Sequence, residues 1–404
     1  MEGMPSFPRG AVRRSLDASI KDGLCWSVMM GFAEQTLVPF ALFLHAGSVH
    51  VGVLRSLPQL LNSLFLLKTA DWVNAARSRK RVVSIAAFLQ AASLGAAALC
   101  AFLPRGTALR AFLACAALYS FFGVVAGPAW CSLMGEYLPA SKRGGFFGMR
   151  NQLAGLSWSG FGLAAGCVLA WFGKGRAAGF VLLFLCACAA RFASWGYILR
   201  MFEPPFRESP GEAFTFSKFV AKFPRSNFTL FTFACSLVML GTTVAAPFFG
   251  VYLLEALRYD YLPYMAVITA GTLSGYASMR AWGRVADSVG GVRVVRIAAW
   301  LIPSIPLFWC LGRGAAYLFA VEAFSGVVWA AYLMGTNNFI YDAVTPAKRT
   351  RCAAYYSALT GLATCIGTFA GGYLYGHLPA LRGHSFVSLL LLSAGLRVLA
   401  AAYL

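Results

Sequence analysis

Runs of about 20 apolar residues recur along the whole chain, and each is long enough to cross a hydrocarbon core of about 30 Å as a helix. Twelve such segments can be marked, at 23–44, 49–70, 82–103, 108–131, 146–171, 178–201, 228–254, 262–282, 292–311, 315–340, 353–376 and 385–404. Of the 404 residues 12% are charged and 59% hydrophobic, against roughly one quarter charged in soluble domains. The expected fold is an all-α membrane protein of twelve transmembrane helices.

The net charge of +20 would fit nucleic acid if the bases were clustered without regard to the spans, but they alternate by loop. Twenty-three Lys and Arg fall in one set of loops, including Arg9, Arg13, Lys80, Arg143, Arg150, Lys222, Arg284 and Lys348, and seven fall in the other set. Cytoplasmic loops are enriched in these residues, so the bias places both termini and the central loop inside and the chain in the cell membrane. The charge reads as topology, and no nucleic-acid partner is expected. The eleven Cys lie mainly within spans and show no CxxC pairs, so they read as small packing residues rather than disulfides or metal ligands. The first apolar run is a full span with no small-residue cleavage site behind it, which argues against a removable signal.

The one long polar stretch, Phe202 to Asn227, carries four prolines and divides the spans six and six. The expected organisation is a cytoplasmic segment 1–22, a six-helix bundle 23–201, a cytoplasmic linker 202–227 and a second six-helix bundle 228–404. The halves echo each other: GFAEQTLVPFALFL in span 1 matches MLGTTVAAPFFGVYL in span 7, which pairs Pro39 with Pro247. Pro139, Lys142, Arg143 and Gly155 likewise echo Pro346, Lys348, Arg349 and Gly361, and Arg191 in span 6 lies 206 residues before Arg397 in span 12. Gly162 with Gly166, Gly367 with Gly371, Gly271 with Gly275 and Gly123 with Gly127 form small-residue pairs that let helix backbones approach in lipid. Two parallel six-helix repeats are an architecture used by transporters.

On these residues the chain resembles the major facilitator superfamily over essentially its whole length. The loop after span 8, WGRVADSVGGVRVVR, is similar to the superfamily's Gly-x-x-x-Asp-x-x-Gly signature followed by bases, with Gly283, Asp287, Gly290 and Arg293 in those positions. The loop after span 2 keeps Asp71 but has Leu67 where the Gly is expected. The resemblance implies that these loops, with Arg143 and Arg349, act as gates in an alternating-access cycle. It also implies that spans 1, 4, 7 and 10 line a central cavity. Drug-proton antiporters of the superfamily carry a Gly-Pro signature in span 5, which has no Pro here; this favours uptake over export.

Glu34 lies about ten residues from either end of span 1, roughly 15 Å deep at 1.5 Å per residue. A charge there costs about 3 kcal/mol on insertion scales, and neutralising a carboxyl at pH 7 costs a similar amount. A group balanced in this way can change protonation as its surroundings change from wet to dry. Glu34 and Gln35 are therefore expected in a cavity for substrate or coupling ion, with Gln59 and Asn62 from span 2, Thr242 and Thr243 from the matching part of span 7, and Glu322 and Trp329 from span 10. The paired reading is that such a Glu is simply held by a neighbouring helix. Arg191 and Arg397 read as structural.

The expected function is secondary active transport of a small solute, coupled to a proton or another ion, by a monomer in the lipid bilayer that needs no cofactor. The alternatives are efflux of a drug or metabolite by the same fold, and a transporter-derived receptor or scaffold without flux. No ATP-binding loop, HExxH or GxSxG motif is present, so no enzyme is expected.

Overall fold

The computed structural model describes residues 9–65, 69–137, 140–173, 175–205, 221, 226–343, 346–381 and 383–404. Helix covers each of the twelve expected segments, and the described residues form no sheet. Among the described residues, eight of these segments are helical, long and apolar enough to cross a membrane. The other four segments, 1, 2, 8 and 11, are the ones in which polar residues interrupt the apolar pattern, including Glu34, Arg55, Arg280 and Thr360.

Segment 1 begins earlier than the apolar pattern predicts. Helix α1 runs Arg9–Met29, continues as a π-helical turn Met30–Glu34, breaks, and resumes as α2, Leu37–Phe43. Proline explains the break: Pro39 has no N–H to give the carbonyl four residues back, at Gln35, and its ring crowds that carbonyl. Segment 7 repeats the event. Helix α9, Asn227–Thr243, stops four residues before Pro247 and gives way to a 3₁₀ turn Ala246–Phe248 and a π-helical turn Tyr252–Ala256. Thr36 and Thr243 each turn their hydroxyl back onto the preceding turn, Thr36 Oγ1 to Phe32 O at 2.5 Å and Thr243 Oγ1 to Met239 O at 2.8 Å. The match between Pro39 and Pro247 is thus a match of broken helices.

The remaining helices are α3 Ser48–Phe65, α4 Thr69–Ala76, α5 Arg79–Leu99, α6 Arg105–Tyr137, α7 Ala140–Phe172 and α8 Ala177–Leu199. After α9 come α10 Tyr261–Val289, α11 Gly291–Leu301, α12 Ser304–Leu311, α13 Ala315–Ala343, α14 Pro346–Tyr375 and α15 Ser385–Tyr403. They form two compact units. One holds Met1–Leu37, Phe65–Val168 and Gly175–Pro210; the other holds Val38–Leu64, Leu169–Lys174 and Gly211–Leu404. The division in segment 1 falls at the helix break before Pro39.

Within the units the small-residue pairs do what lipid packing requires. A Cβ on Gly31 would come within 3.0 Å of the Gly162 nitrogen and 2.9 Å of the Trp158 carbonyl, so α7 lies directly on the π-helical turn after α1. The second unit repeats this seam, since a Cβ on Gly367 would sit 2.5 Å from Leu240 O and one on Gly371 would overlap Val244 O. Gly275 meets the Gly326 carbonyl across α10 and α13 at 3.3 Å. In α6, Gly123 makes room for the Gln90 amide, whereas Gly127 faces open space. Also within the second unit, a Cβ on Gly52 of α3 would lie 3.5 Å from the Gly372 Cα of α14. All eleven cysteines are unpaired by disulfide.

Candidate functional site

The expected cavity residues of segments 1 and 7 sit at the two helix breaks. Glu34 is the last residue of the first π-helical turn, half-buried, with Gln35 buried beside it in the interrupted backbone. Thr242 and Thr243 occupy the matching end of α9. The Thr242 side chain is 8% exposed, and its hydroxyl has no hydrogen-bond partner among the described residues. π-Helical turns and broken helices leave backbone polar groups that a membrane tolerates only where protein or a cavity satisfies them. The side chains of Gln59 and Asn62 lie outside the described residues, as do those of Asp71, Asp287, Arg143 and Arg349.

The two span 10 candidates do not share a partner. Glu322 accepts a hydrogen bond from Trp309 Nε1 at 3.0 Å through Oε1, and its Oε2 faces Gly271. Trp329, two turns along α13, packs edge-on against Tyr332 with ring centroids 5.4 Å apart. Glu322 therefore belongs to the seam of α10, α12 and α13.

The signature loop places Gly290 at φ +89°, a backbone conformation that disfavours any side chain, at the turn between α10 and α11. Arg293 is exposed there, and no Cβ on Gly283 would meet a neighbour. The first-half loop turns through Arg77 at φ +47° instead, followed by Ser78, whose hydroxyl accepts from Arg81 N and caps α5. Glu203, from beyond α8, completes this cap: it accepts from Ser78 Oγ at 2.8 Å and from Lys80 N at 3.0 Å. A carboxylate at a helix N-terminus is stabilised by the unpaired N–H groups there. Arg79 pairs with Glu136 at 2.5 Å, and the Tyr137 hydroxyl donates to Phe202 O, its phenol pushed up to about 12 by burial. The stretch after α8 is thus tied to the start of α5 and to the end of α6.

Sequence reasoning missed a charged cluster in the first unit. Arg191 of α8 is 4% exposed and donates from Nη1 to Ser194 Oγ at 2.7 Å; Ser194 Oγ in turn donates to Asp22 Oδ1 at 2.6 Å. Arg150 of α7 reaches the same carboxylate, Nη2 to Oδ2 at 3.4 Å, donates from Nε to Ser19 O at 3.2 Å and lies 4.1 Å over the Trp130 ring. Arg191 is eight residues from the end of α8, about 12 Å in at 1.5 Å per residue. The apolar pattern assigned Asp22 to the segment before span 1 and Arg150 to a loop. Asp22 is buried because α1 starts at Arg9, well before the apolar pattern, whereas Arg150, partly buried, sits at the start of span 5 and was counted with the basic loop before it. The signal available was the lone Arg191 in an apolar run, which demands a partner at the same depth.

Arg397, its counterpart in the second unit, is held differently. It donates to Ser393 Oγ at 3.1 Å, Ile302 O at 3.2 Å and Thr242 O at 3.4 Å. Ile302 lies four residues before Pro306, which has no N–H to give it, and Thr242 lies at the end of α9. Arg397 adds a side-chain donor to two carbonyls at helix breaks that also accept a backbone N–H, from Ile305 and from Ala245, each at 3.3 Å.

The fold is shared with solved structures over nearly the full length. The chain is similar to a mutant of the nucleoside transporter NupG (14% identity, 96% of this chain and 98% of that one, TM-score 0.77). It is similar also to a D-xylose-proton symporter (12%, 97% and 96%, TM-score 0.73) and to a bacterial homologue of the iron transporter ferroportin in an inward-facing state (15%, 97% and 98%, TM-score 0.72). Neither a family model nor a curated protein sequence matches the chain. At these identities the likeness shows the fold alone, the all-helical architecture of those transporters, and the long apolar helices agree with an integral, multi-pass membrane protein.

Proposed function

We propose that the protein is a secondary active transporter that moves a small solute across the cell membrane by alternating access, with both termini cytoplasmic and the two halves, 23–201 and 228–404, as the moving parts. The observation that carries this reading is the pair of helix breaks before Pro39 and Pro247. They interrupt the backbone beside Glu34 and Gln35 in one repeat and beside Thr242 and Thr243 at the matching place in the other. In this reading those residues, with Gln59 and Asn62 and with Glu322 and Trp329 of α13, serve the solute site. Asp71, Gly283, Asp287, Gly290, Arg293, Arg143 and Arg349 gate the cytoplasmic side.

Glu34 is the coupling carboxylate in this reading, because it lies five residues before Pro39 and the matching position before Pro247 is Thr242. In this reading solute entry is coupled to proton entry through the Glu34 carboxyl. Proteoliposomes holding the Glu34→Gln protein should exchange solute across the membrane but fail to accumulate it on a pH gradient. Accumulation at the wild-type level by that variant would refute proton coupling through Glu34.

A further inference from the structure

The cluster around Asp22 has an excess of positive charge. Two guanidinium groups, Arg150 and Arg191, meet one carboxylate. Among the described residues of the first unit no other acid is placed to balance them: Asp17 is exposed, Glu136 pairs with Arg79, and Glu203 caps α5. Glu34 is twelve residues further along the same helical segment, about 18 Å away at 1.5 Å per residue.

Donors are also left over. Arg191 Nε and Ser19 Oγ are buried without a hydrogen-bond partner among the described residues. Arg150 holds the carboxylate by one long contact of 3.4 Å, and its side chain, 12% exposed against 4% for Asp22, is the more open member of the pair. Its guanidinium plane is backed by Trp130, which fixes its direction. A forked cation set beside an aromatic ring in a low-dielectric medium, with the unpartnered Arg191 Nε in the same cluster, fits the geometry of a carboxylate or phosphate oxyanion.

We propose that the Asp22, Arg150 and Arg191 cluster is a binding site for an anionic solute bearing a carboxylate or phosphate group, with Asp22 occupying the guanidinium groups when the solute is absent. The naming of that anion as the transported solute rests on the transport reading above. Proton entry through Glu34 would then offset the charge carried by the solute.

The test is a titration of the purified full-length protein in detergent, followed by thermal unfolding at constant ionic strength. The probes are sodium phosphate, sodium acetate and sodium benzoate, with glucose and choline chloride as controls and phosphatidylglycerol as the lipid arm. At least one of the three salts should raise the unfolding midpoint. Arg150→Gln should weaken that apparent affinity about tenfold, the loss of one charge-assisted contact. Asp22→Asn should tighten it by about threefold, because the competing carboxylate is removed, whereas a purely structural ion pair would lose stability and gain no anion affinity. If Arg150→Gln does not fold, the Asp22→Asn arm decides. No effect of any salt on wild type or Asp22→Asn, unchanged affinity in Arg150→Gln, or stabilisation by phosphatidylglycerol alone would each overturn the proposal. Uphill solute flux without anion binding would remove this site and leave transport intact; anion binding without flux would do the reverse.

Discussion

Arg191 and Arg397 stand 206 residues apart at matching positions of the last helix in each half, and both are buried, yet their surroundings differ in kind. Arg397 spends its donors on Ser393 and on two carbonyls at helix breaks, so its role is complete within the fold. Arg191 reaches its acid only through Ser194, keeps Nε free of partners among the described residues, and shares the acid with a second arginine that is partly open. The repeat supplied one arginine to each half. One became part of the backbone's hydrogen bonding; the other became part of a charged site.

The largest expected effect follows from the closed side of this comparison. Arg397→Met leaves the added hydrogen bonds of Ile302 O and Thr242 O unmade and Ser393 with one partner fewer, and should cost about 3–5 kcal/mol, read as a drop in the unfolding midpoint. Arg191→Met should cost less, about 1–3 kcal/mol, because Asp22 keeps Ser194 and Arg150 as partners. Equal losses in the two variants would break the distinction between them.

A smaller effect separates the seams. Gly31→Ala puts a Cβ 2.6 Å from that of Phe161, which demands a shift of α7 against α1 and should cost about 1–3 kcal/mol. Gly371→Ala should behave alike in the second unit, since Val244 O occupies that space. At the small end, Gly127→Ala meets nothing within 4 Å and should leave the midpoint within about 0.5 kcal/mol of wild type or raise it. A cost at Gly127 as large as that at Gly31 would show that packing at these positions is not what the glycines serve.

The fold was legible because its signals are long. Twelve apolar runs, loop charge and the offset of Pro39 from Pro247 survive errors of several residues at each boundary. The breaks themselves were only half legible: the paired prolines were visible, but the π-helical turn at Glu34 depends on how the backbone satisfies its carbonyls. The Asp22 cluster was lost at a boundary. Apolar patterning ends a span where the charges begin, so it left Asp22 outside span 1, and Arg150, although at the start of span 5, was counted with the basic loop before it. Glu203 as a distal cap of α5 was illegible, since nothing in the sequence relates position 203 to Ser78 until the chain has folded.

Alternating access is tested most directly where two backbones meet without side chains between them, at Gly52 of α3 and Gly372 of α14. In the transport reading this contact must open once in each cycle. A protein carrying Gly52→Cys and Gly372→Cys, reconstituted and oxidised to form that one cross-link, should lose solute flux and recover it on reduction, while oxidised wild type, whose eleven cysteines form no disulfide, keeps its flux. Undiminished flux through the cross-linked protein would contradict the account.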